Sequence, residues 1–514
     1  MVQWGQPVER ALLLAASAGI APAQPPATPP PFPEWTDAAA LPRPVLRDGG
    51  GEFPATAVRN LVLLLAMAGR PDDFPGVDGA LGEVAAACEP ASLAAFAWGL
   101  FEDWAAAGHP AVTGRHSHVL SALGRFGDAD TVHRLAARAA GWTKPDTGDL
   151  LSGALRAMAQ IGGDAAAAHL NDIAIRARTK TVRNVARFHL GRLAEADGLT
   201  TEQLADRLVP DLGLEASGTL ALDYGPRRFT VVLDEQLVSF VHDEHGRVRK
   251  TLPKPGVKDD PERAGAARDR LARLRRDVRV VAADRTARLE AAMIDGRGWT
   301  PAEFDAHLVR HPIVRRFARR LVWRTADGTS FRIAEDGTHA DASDETIVLA
   351  PGARIALPHP ADLTDAELKA WADVFADYEI LQPFPQLGRP RHVLTEDERR
   401  SDRLARLEGA TAPAAGVRAL LRTGNWRQSL AINGRRPWIA ARVAGPSLVI
   451  DLAPGLPEYD SQDAADQTFR RVRLADSPYR DPDPADPPLR FGDLPAGAVS
   501  EAIAAIDSAL RRPR

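Results

Sequence analysis

The stretch LALDYGPRRFTVVLDEQLVSFVHDEHGRVRKTLP, residues 220–253, decides the fold class of this chain. Apolar and polar residues alternate along it, and β-branched and aromatic side chains occupy many apolar positions, which is typical of half-buried strands. Two polar segments interrupt the alternation, DEQ at 234–236 and DEHG at 243–246. Tight polar turns between such runs predict an antiparallel meander. This meander separates an alanine-rich helical half of the chain from a mixed half.

The half that precedes the meander is predicted to be helical from about residue 54 to residue 208. Glycine–aspartate breaks, FGD at 126–128 and IGGD at 161–164, recur one helix pair apart. Short helices that alternate with such turns resemble degenerate HEAT-like pairs, in which each pair needs neighbours to bury its apolar face. A non-repetitive helical bundle is the alternative. The predicted helical domain comprises residues 1–210.

The half that follows the meander mixes helices and hairpins. Residues 261–294 form one long arginine-rich helix in this prediction, and the sequence TPAE at 300–303 is a capping box with proline at the first helical position. Further elements are a hairpin that turns at 326–328, a helix at 362–378, strands at 438–443, 447–452 and 469–474, and a closing helix at 495–510. We expect 211–360 and 361–514 to pack as one module. The predicted fold class is mainly α with α+β.

The composition is that of a soluble globular protein. The chain has 514 residues, of which 45% are hydrophobic and 26% charged. This length predicts about two to four domains. The net charge of −4 argues against binding of nucleic acid or a membrane over the whole surface, but it leaves room for a local basic patch. The single cysteine, Cys88, excludes an intrachain disulfide and a cysteine-built zinc or iron–sulfur site.

The N-terminal residues allow two interpretations. The segment ALLLAASAGIAPA, residues 11–23, has a short apolar run and a small-residue exit that resemble a secretion signal. Against this, Trp4, Gly5 and Glu9 occupy the place of a basic leader, and the same region can form an amphipathic helix. We therefore expect a cytoplasmic protein. No other segment approaches the length of a membrane span, so no membrane association is predicted.

The strongest chemical signal is basic. A helix is predicted through Val314, Phe317 and Leu321, which form its apolar face. Four arginines line the opposite face, namely Arg315, Arg316, Arg319 and Arg320. Clustered guanidinium groups can grip phosphate oxygens bidentately, so these residues are candidates for binding phosphate or nucleic acid. The alternative is a solvated face, or one that pairs with acidic loops. No aromatic stacking pattern accompanies these arginines, which weakens a single-strand interpretation.

Histidines and carboxylates offer weaker candidates. The sequence HDEH at 242–245 lies in a predicted turn, and HSH at 116–118 opens a predicted helix. A polar turn explains the first group without a metal, because metal sites usually hold their ligands on rigid elements. The acidic clusters at 341–345 and 481–486 lack the glycine-centred spacing of a calcium loop. We predict no metal site and no cofactor.

No familiar catalytic motif occurs in the sequence. It contains no Walker-type phosphate loop, no GxGxxG after a strand, no GxSxG elbow and no HExxH. An enzyme built on such a motif is therefore not expected, although a site assembled from distant residues would be invisible here. The segment YEILQPFPQLGRPRHV, residues 378–393, is predicted to be an extended strap across the C-terminal part. Its alternative role is to line a peptide or ligand groove.

Several long phrases carry a family resemblance. They are DYGPRRFTVVLDEQL at 223–237, LPKPGVKDD at 252–260, RRLVWR at 319–324, DYEILQPFPQLGRP at 377–390 and LRFGDLPAGAVSE at 489–501. They resemble the bacterial domain of unknown function 4132 family, the MolR-like proteins often found with a WGR domain. No Trp-Gly-Arg tripeptide occurs in this chain, so no WGR module is expected. The resemblance implies a regulatory role and assigns no catalytic residue.

Two functions follow from these observations as expectations. The first is a cytoplasmic binding or regulatory scaffold with a protein partner and, through the four arginines, a possible contact with phosphate or nucleic acid. The second is an enzyme that acts on nucleic acid or on a nucleotide-derived group. The direction in which the four arginine side chains point distinguishes these two functions. A closed cleft shared with a carboxylate or histidine favours the enzyme, and an open convex surface favours binding or solvation.

Overall fold

A computed structural model describes residues 31–47, 49, 51–68, 77–108, 118–142, 148–459, 465–479 and 488–511. The chain folds into two compact units, residues 1–209 and 210–514. Helices build the first unit, and the second combines helices with antiparallel sheets. The predicted fold class, a helical half followed by a mixed antiparallel half, is therefore confirmed. The predicted subdivision of the second half at residue 360 stays a prediction.

Some predicted features lie outside the described residues. These are the N-terminal apolar run at 11–23, the first two residues of the HSH sequence at 116–118, and the acidic cluster at 481–486. Within the described ranges, no helix has both the length and the apolar character that crossing a lipid bilayer requires.

The described part of the first unit contains nine helices. They are α1 (Ala55–Ala68), α2 (Val77–Ala87), α3 (Pro90–Ala106), α4 (His118–Phe126), α5 (Ala129–Ala139), α6 (Gly148–Ile161), α7 (Gly163–Arg176), α8 (Lys180–Ala196) and α9 (Thr201–Arg207). Helix α3 begins with Pro90 in its first turn, where the missing N–H costs nothing, and it buries an apolar stripe that includes Phe96, Phe101 and Trp104. The first unit therefore has a continuous apolar core.

Helices α4 to α8 pack in two layers. Helix α6 contacts both α4 and α8, and α5 contacts α7, so each helix lies against the helix two places away in sequence. Buried leucines fill the space, among them Leu123, Leu155 and Leu190. Gly153 permits the close approach of α6 to α4, since a Cβ there would lie 2.6 Å from Leu120 Cδ1. The first glycine–aspartate break works as a cap, because Asp128 Oδ1 accepts the Thr131 N–H at 2.8 Å.

The predicted meander is present at the start of the second unit. Strands β1 (Thr219–Asp223), β2 (Arg228–Leu233), β3 (Ser239–Asp243) and β4 (Val248–Arg249) pair antiparallel in that order. An aspartate organises each of the last two turns by accepting two backbone N–H groups. Asp234 Oδ1 accepts those of Gln236 and Val238, at 2.9 and 2.7 Å. The side chains of Asp234 and Asp243 are thus engaged in turn formation.

Helix α10 (Pro261–Ile294) follows with the predicted bounds. Its N-cap is Asp260, whose carboxylate accepts the N–H groups of Glu262 and Arg263 at 2.9 and 3.2 Å. One apolar stripe is buried along its length, from Ala264 through Leu274 to Met293. The helix therefore serves as a spine against which other elements of the second unit can pack.

A second sheet forms around short strands. It contains β5 (Gly298–Trp299), β6 (Trp323–Thr325), β7 (Ser330–Ile333), β8 (His339–Ala340) and β9 (Ile355–Ala356) in the order β5-β9-β6-β7-β8. Its helices are α11 (Pro301–Phe304), which continues as a π-helical turn over 305–309, α12 (Arg315–Ala318), α13 (Asp365–Asp377) and α14 (Glu396–Arg400). The capping box predicted at Thr300–Glu303 is formed, and a second capping box forms at Thr364–Glu367.

A third sheet closes the chain. Its strands are β10 (Thr411–Ala412), β11 (Trp426–Gln428), β12 (Arg435–Arg442), β13 (Ser447–Pro457) and β14 (Gln467–Ala475), in the order β10-β14-β13-β12-β11. Helices α15 (Ala414–Arg422) and α16 (Ala496–Leu510) share one core with this sheet, in which Ile450, Val472 and Ile506 are fully buried. Strand β12 begins earlier and β13 ends later than the sequence predicted, because the hydrogen-bonded ladder between them continues to the pair Arg435 and Pro457.

Two glycine-to-alanine substitutions test the packing of the third core. A Cβ at Gly416 on α15 would lie 2.2 Å from the backbone oxygen of Ala509 on α16, so Gly416→Ala forces the two helices apart. We expect it to destabilise the protein by about 1–3 kcal/mol. Gly265→Ala on α10 is the matched control, since a Cβ there meets nothing within 4 Å. Better helix propensity should make this control more stable by about 0.5–1 kcal/mol.

Urea unfolding followed by circular dichroism measures both effects. The midpoint should fall for Gly416→Ala and rise slightly for Gly265→Ala, with the slope unchanged. Equal midpoints for the two variants would contradict the close approach of α15 and α16.

Candidate functional site

The predicted basic residues lie in and just after the short helix α12, and two of them point at the first sheet. Arg315 Nη1 donates a hydrogen bond to the Ala216 carbonyl at 2.8 Å, and its Nη2 donates to the Ser217 carbonyl. Arg316 Nη1 donates to Glu235 Oε1 at 3.2 Å. Gly218, which has no side chain, permits this approach, because a Cβ there would lie 2.7 Å from Arg315 Nη2. These two guanidinium groups therefore anchor the meander to α12.

The other two arginines differ from each other. Arg320 Nε donates to the Arg316 carbonyl at 2.8 Å, and its Nη1 donates to the Leu381 carbonyl at 3.1 Å. Arg319 Nε is buried and has no hydrogen-bond partner among the described residues. The structure thus brings the four arginines together, but three of them already donate to protein oxygens.

The electrostatic environment of this arginine cluster is unfavourable to further positive charge. Burial lowers the pKa of Arg315, and the charges of Arg316 and Arg319 lower it further. Burial also lowers the pKa of Arg316 and of Arg320, and in both Glu235 acts in the opposite direction. An anion would relieve the mutual repulsion, although its oxygens would compete with the carbonyl acceptors. Phosphate or nucleic-acid binding by these residues stays a prediction.

A second polar cluster centres on His359, which is fully buried. The His359 Nδ1 atom accepts the Ala361 N–H at 3.0 Å, so the ring proton lies on Nε2. Nε2 then donates to Glu501 Oε1 at 3.3 Å. The backbone N–H of His359 donates to Asp362 Oδ2 at 2.9 Å. The imidazole is therefore held in one tautomer and one orientation by its surroundings.

Arg389 extends this cluster. Its Nε lies 2.9 Å from Glu501 Oε1, its Nη2 pairs with Glu290, and its Nη1 is buried without a hydrogen-bond partner in the described part of the chain. The hydrogen bond from His359 and the charge of Arg389 together lower the pKa of Glu501, whereas burial opposes that shift. We call Glu290, His359, Arg389 and Glu501 the tetrad.

The tetrad connects three elements. Glu290 lies on α10, Arg389 lies in the segment that was predicted to be an extended strap, and Glu501 lies on α16. A Cβ at Gly497 would lie 2.9 Å from His359 Cβ, so a glycine is needed where α16 passes the imidazole. Sequence reasoning did not select any of the four residues, because their separation along the chain hides their proximity.

The neighbourhood of the tetrad is closed rather than cleft-like. Ser500 Oγ accepts the His392 N–H at 2.9 Å, and His392 Nδ1 lies 3.4 Å from Asp507 Oδ2. A cavity of about 20 Å3, lined in part by His392 and Val499, has room for about one water. A histidine paired with a carboxylate is a general acid–base arrangement in principle. Here the imidazole is fully enclosed, so the geometry supports a structural role.

The strap itself is pinned by a buried glutamine. Gln386 Oε1 accepts the Val322 N–H at 2.9 Å, and its Nε2 donates to the carbonyls of Val322 and Pro358 at 2.9 and 3.1 Å. The amide thus takes the place of a neighbouring strand at Val322, directly before β6 begins. These contacts place Gln386 against the second sheet, whereas the strap was predicted to cross the C-terminal part.

The weaker candidates have local roles. Asp243 accepts the backbone N–H groups of His245 and Arg247, both at 3.0 Å, as part of its turn. Asp341 Oδ1 accepts those of Ser343 and Glu345 in the same way. Burial lowers the pKa of His118 to about 4. In the described ranges, no group of three or more histidine, cysteine, aspartate or glutamate side chains is arranged to hold a metal ion.

Comparison with known proteins identifies the family. Residues 246–426 match the sequence model of a domain of unknown function, DUF4132. The chain carries a domain of the DUF4132 family. The resemblance predicted from the sequence phrases is thereby confirmed.

The chain is also similar to the uncharacterized protein YehI of Escherichia coli strain K12. The two are 34% identical over 427 residues, which are 82% of this chain and 34% of YehI. The chain therefore spans about a third of the length of the curated relative that it matches. No solved structure matches the chain.

Glu501→Gln tests the tetrad through its pH dependence. The folded-state pKa of Glu501 lies below the ordinary value of about 4.3. Its carboxylate therefore contributes stability above the unfolded-state pKa, and this stability is lost as the pH falls through the folded-state pKa. We expect Glu501→Gln to lower the free energy of unfolding by about 1–3 kcal/mol at neutral pH. The deficit should shrink as the pH falls below about 4.3.

Glu195→Gln is the control for this measurement. Glu195 is exposed on α8 and lies 3.9 Å from Arg192, so its substitution should change stability little at any pH. Chemical unfolding at several pH values gives both differences. A Glu501→Gln deficit that stays constant with pH would show that the carboxylate charge is not what stabilises the cluster.

Proposed function

We propose that this chain is a binding scaffold whose first unit contacts a protein partner. The observation that carries the proposal is the two-layer packing of α4 to α8, in which each helix lies against the helix two places away. Stacked helix pairs of this kind, including HEAT-like repeats, present extended surfaces that are suited to protein recognition. A scaffold role needs no reactive centre, and it agrees with the closed geometry of the tetrad.

Helix α8 offers the best contact surface in this unit. Phe188 on α8 is 65% exposed and packs edge-on against His189, with ring centroids 5.3 Å apart. Basic residues dominate the same helix, at Lys180, Arg183, Arg187 and Arg192. An exposed aromatic ring on a helix rich in basic residues fits a partner that has an apolar pocket with an acidic rim. We therefore assign the partner contact to this helix.

The remaining parts of the proposal are a regulatory role and a cytoplasmic location. Burial raises the pKa of the Cys88 thiol to about 11, so this cysteine is unreactive at neutral pH, which suits a reducing compartment. Because the chain spans a third of YehI, its partner can be another protein or a further part of a longer chain. A contact of Arg315, Arg316, Arg319 and Arg320 with phosphate requires an anion to displace carbonyl acceptors, and Arg319 is the residue best placed to begin it.

An enzyme is the alternative function. Its candidate acid–base pair is His359 with Glu501, at 3.3 Å. The full burial of His359 argues against this alternative, because a substrate would have to reach an enclosed imidazole. The scaffold is therefore the better supported of the two functions.

Site-specific photo-crosslinking tests the scaffold proposal. The full chain is produced in its native cells with Phe188→p-benzoylphenylalanine and irradiated. We expect a discrete crosslinked product of higher mass, and we expect Arg187→Glu in the same chain to abolish it, because the charge reversal repels an acidic rim. Mass spectrometry identifies the partner.

The matched control places the same photo-crosslinker at Val348, which is 89% exposed on a loop of the second unit. Identical products from positions 188 and 348 would indicate random collision. Such a result, or the absence of any product at position 188, would refute the contact surface on α8.

A further inference from the structure

The third sheet has one face covered by helices, and the other face has a small buried patch of Ala440, Val449 and Ala475 among longer side chains. Trp426, Ile439, Leu448 and Val472 belong to the core that the sheet shares with α15 and α16. Strand alternation turns their neighbours to the opposite side. The register places Arg427, Ala440, Val449 and Arg473 side by side across strands β11, β12, β13 and β14. We call this side of the sheet the open face.

Arginines dominate the charge of the open face. The adjacent cross-strand rows contain Trp438, Asp451 and Arg471 on one side, and Arg442, Ser447 and Ala475 on the other. These rows thus carry four arginines, at 427, 442, 471 and 473, and a single carboxylate. Asp451 Oδ2 accepts a hydrogen bond from Arg471 Nε at 2.8 Å, so it neutralises one of them. Among the described residues, no ion pair engages Arg427, Arg442 or Arg473.

Arg473 lacks hydrogen-bond acceptors. Its Nε and Nη1 atoms are buried, and they have no hydrogen-bond partner in the part of the chain that the structure describes. A buried guanidinium N–H without an acceptor is costly, and an anionic oxygen is the acceptor that suits it best. In the cluster at Arg315–Arg320, by contrast, carbonyl and carboxylate oxygens of the protein already fill that role for three residues. Arg427 and Arg442 are exposed and Arg473 is partly buried, so this face carries positive charge that no carboxylate among the described residues pairs with.

An aromatic platform lies among these arginines. Trp438 is half-buried and packs on the small apolar patch of Ala440, Val449 and Ala475. Tyr479 meets its ring edge-on, with centroids 5.2 Å apart. The indole thus contacts an apolar patch and a second aromatic ring. A flat aromatic side chain among guanidinium groups is the combination that stacks nucleobases and holds the phosphates between them.

We propose that the open face binds single-stranded nucleic acid, with a base stacked on Trp438 and phosphates held by the exposed side chains of Arg427 and Arg442. A duplex hides the faces of its bases inside the stack, so it cannot use the indole. An acidic peptide can pair with the arginines but gains little from an aromatic platform. The observed combination of charge and aromatic surface therefore favours an unpaired strand. This surface is distinct from α8 and does not depend on the proposed protein contact.

Fluorescence anisotropy with the full chain tests the proposal. The probes are labelled single-stranded RNA and DNA of about 16 nucleotides, long enough for a site of this size. We expect binding whose affinity falls with salt, with a slope of about 0.7 in log K per log salt concentration for each phosphate contacted. A duplex of the same sequence should compete less well than the single strand.

Variants locate the binding surface. Arg427→Glu and Arg442→Glu change exposed side chains, so the fold should persist, and each should weaken binding about tenfold or more and reduce the salt slope. Trp438→Leu should weaken binding about fivefold to a hundredfold through the loss of stacking. The control is Arg273→Glu, which reverses an exposed charge on α10 and should leave affinity unchanged. Thermal unfolding by circular dichroism verifies that every variant is folded.

Several outcomes would overturn the proposal. One is the absence of binding at low salt. Another is an equal loss of affinity in Arg273→Glu, which would show non-specific attraction. A loss confined to Arg319→Glu would assign the binding to the other arginine cluster. Finally, if poly-glutamate competes as well as the single strand and Trp438→Leu has no effect, the face binds acidic polymers in general and not nucleic acid.

Discussion

The two ion pairs of Arg389, one with Glu290 and one with Glu501, are the constraint on which the second unit depends. One guanidinium group pairs with Glu290 on α10 and with Glu501 on α16, and Glu501 in turn receives the ring proton of His359 in a hydrogen bond. Moving any one of these elements would leave charged groups unpaired in a largely enclosed place, which is more costly than losing an exposed ion pair. The long helix, the strap and the closing helix are therefore fixed together, and this arrangement positions the second and third sheets.

Arginine has opposite roles in two parts of this unit, and the supply of acceptors decides which role it takes. Around α12, Arg315 and Arg320 reach backbone carbonyls of segments that pass nearby, so their charges become part of the internal bonding. On the open face of the third sheet, the neighbouring backbone groups of Arg473 are already paired within the β ladder. Its buried guanidinium nitrogens Nε and Nη1 therefore have no acceptor among the described residues. Arginine is thus bonded to the protein in one place and lacks acceptors in the other.

The sequence predicted the elements whose signals are local. The meander, the long helix α10 and the capping box at Thr300 follow from alternation, periodicity and cap chemistry, each of which spans only a few residues. The second sheet was seen only in part, as a hairpin. Its strands β5, β8 and β9 have two residues each, too few to show alternation, and β9 enters between β5 and β6 in the sheet order.

Long-range contacts explain what the sequence concealed at the candidate sites. The sequence predicted the four arginines on one helix, whereas α12 ends at Ala318, so Arg319 and Arg320 follow it. The acceptors of these arginines include Ala216, Ser217 and Leu381, which no local pattern connects to them. His359 and Glu501 are separated by 142 residues. To predict the open face, the register of the strands is required as well as their alternation, because Arg427, Trp438 and Arg473 become neighbours only when β11 to β14 are paired.

The physical unit is longer than the segment that defines the family. The match covers residues 246–426, beginning at the turn before β4 and ending at the first residue of β11. Strand β4 pairs only with β3, which lies before that segment, and β11 pairs only with β12, which follows it. Arg389 lies inside the segment, whereas its partner Glu501 lies outside. Strand β10 likewise pairs with β14, which follows the segment. Residues 246–426 alone would therefore leave three strands without their ladders and a guanidinium group without one of its carboxylates. The stable body is the whole second unit, and the family segment is the part of it that contains the spine helix and the second sheet.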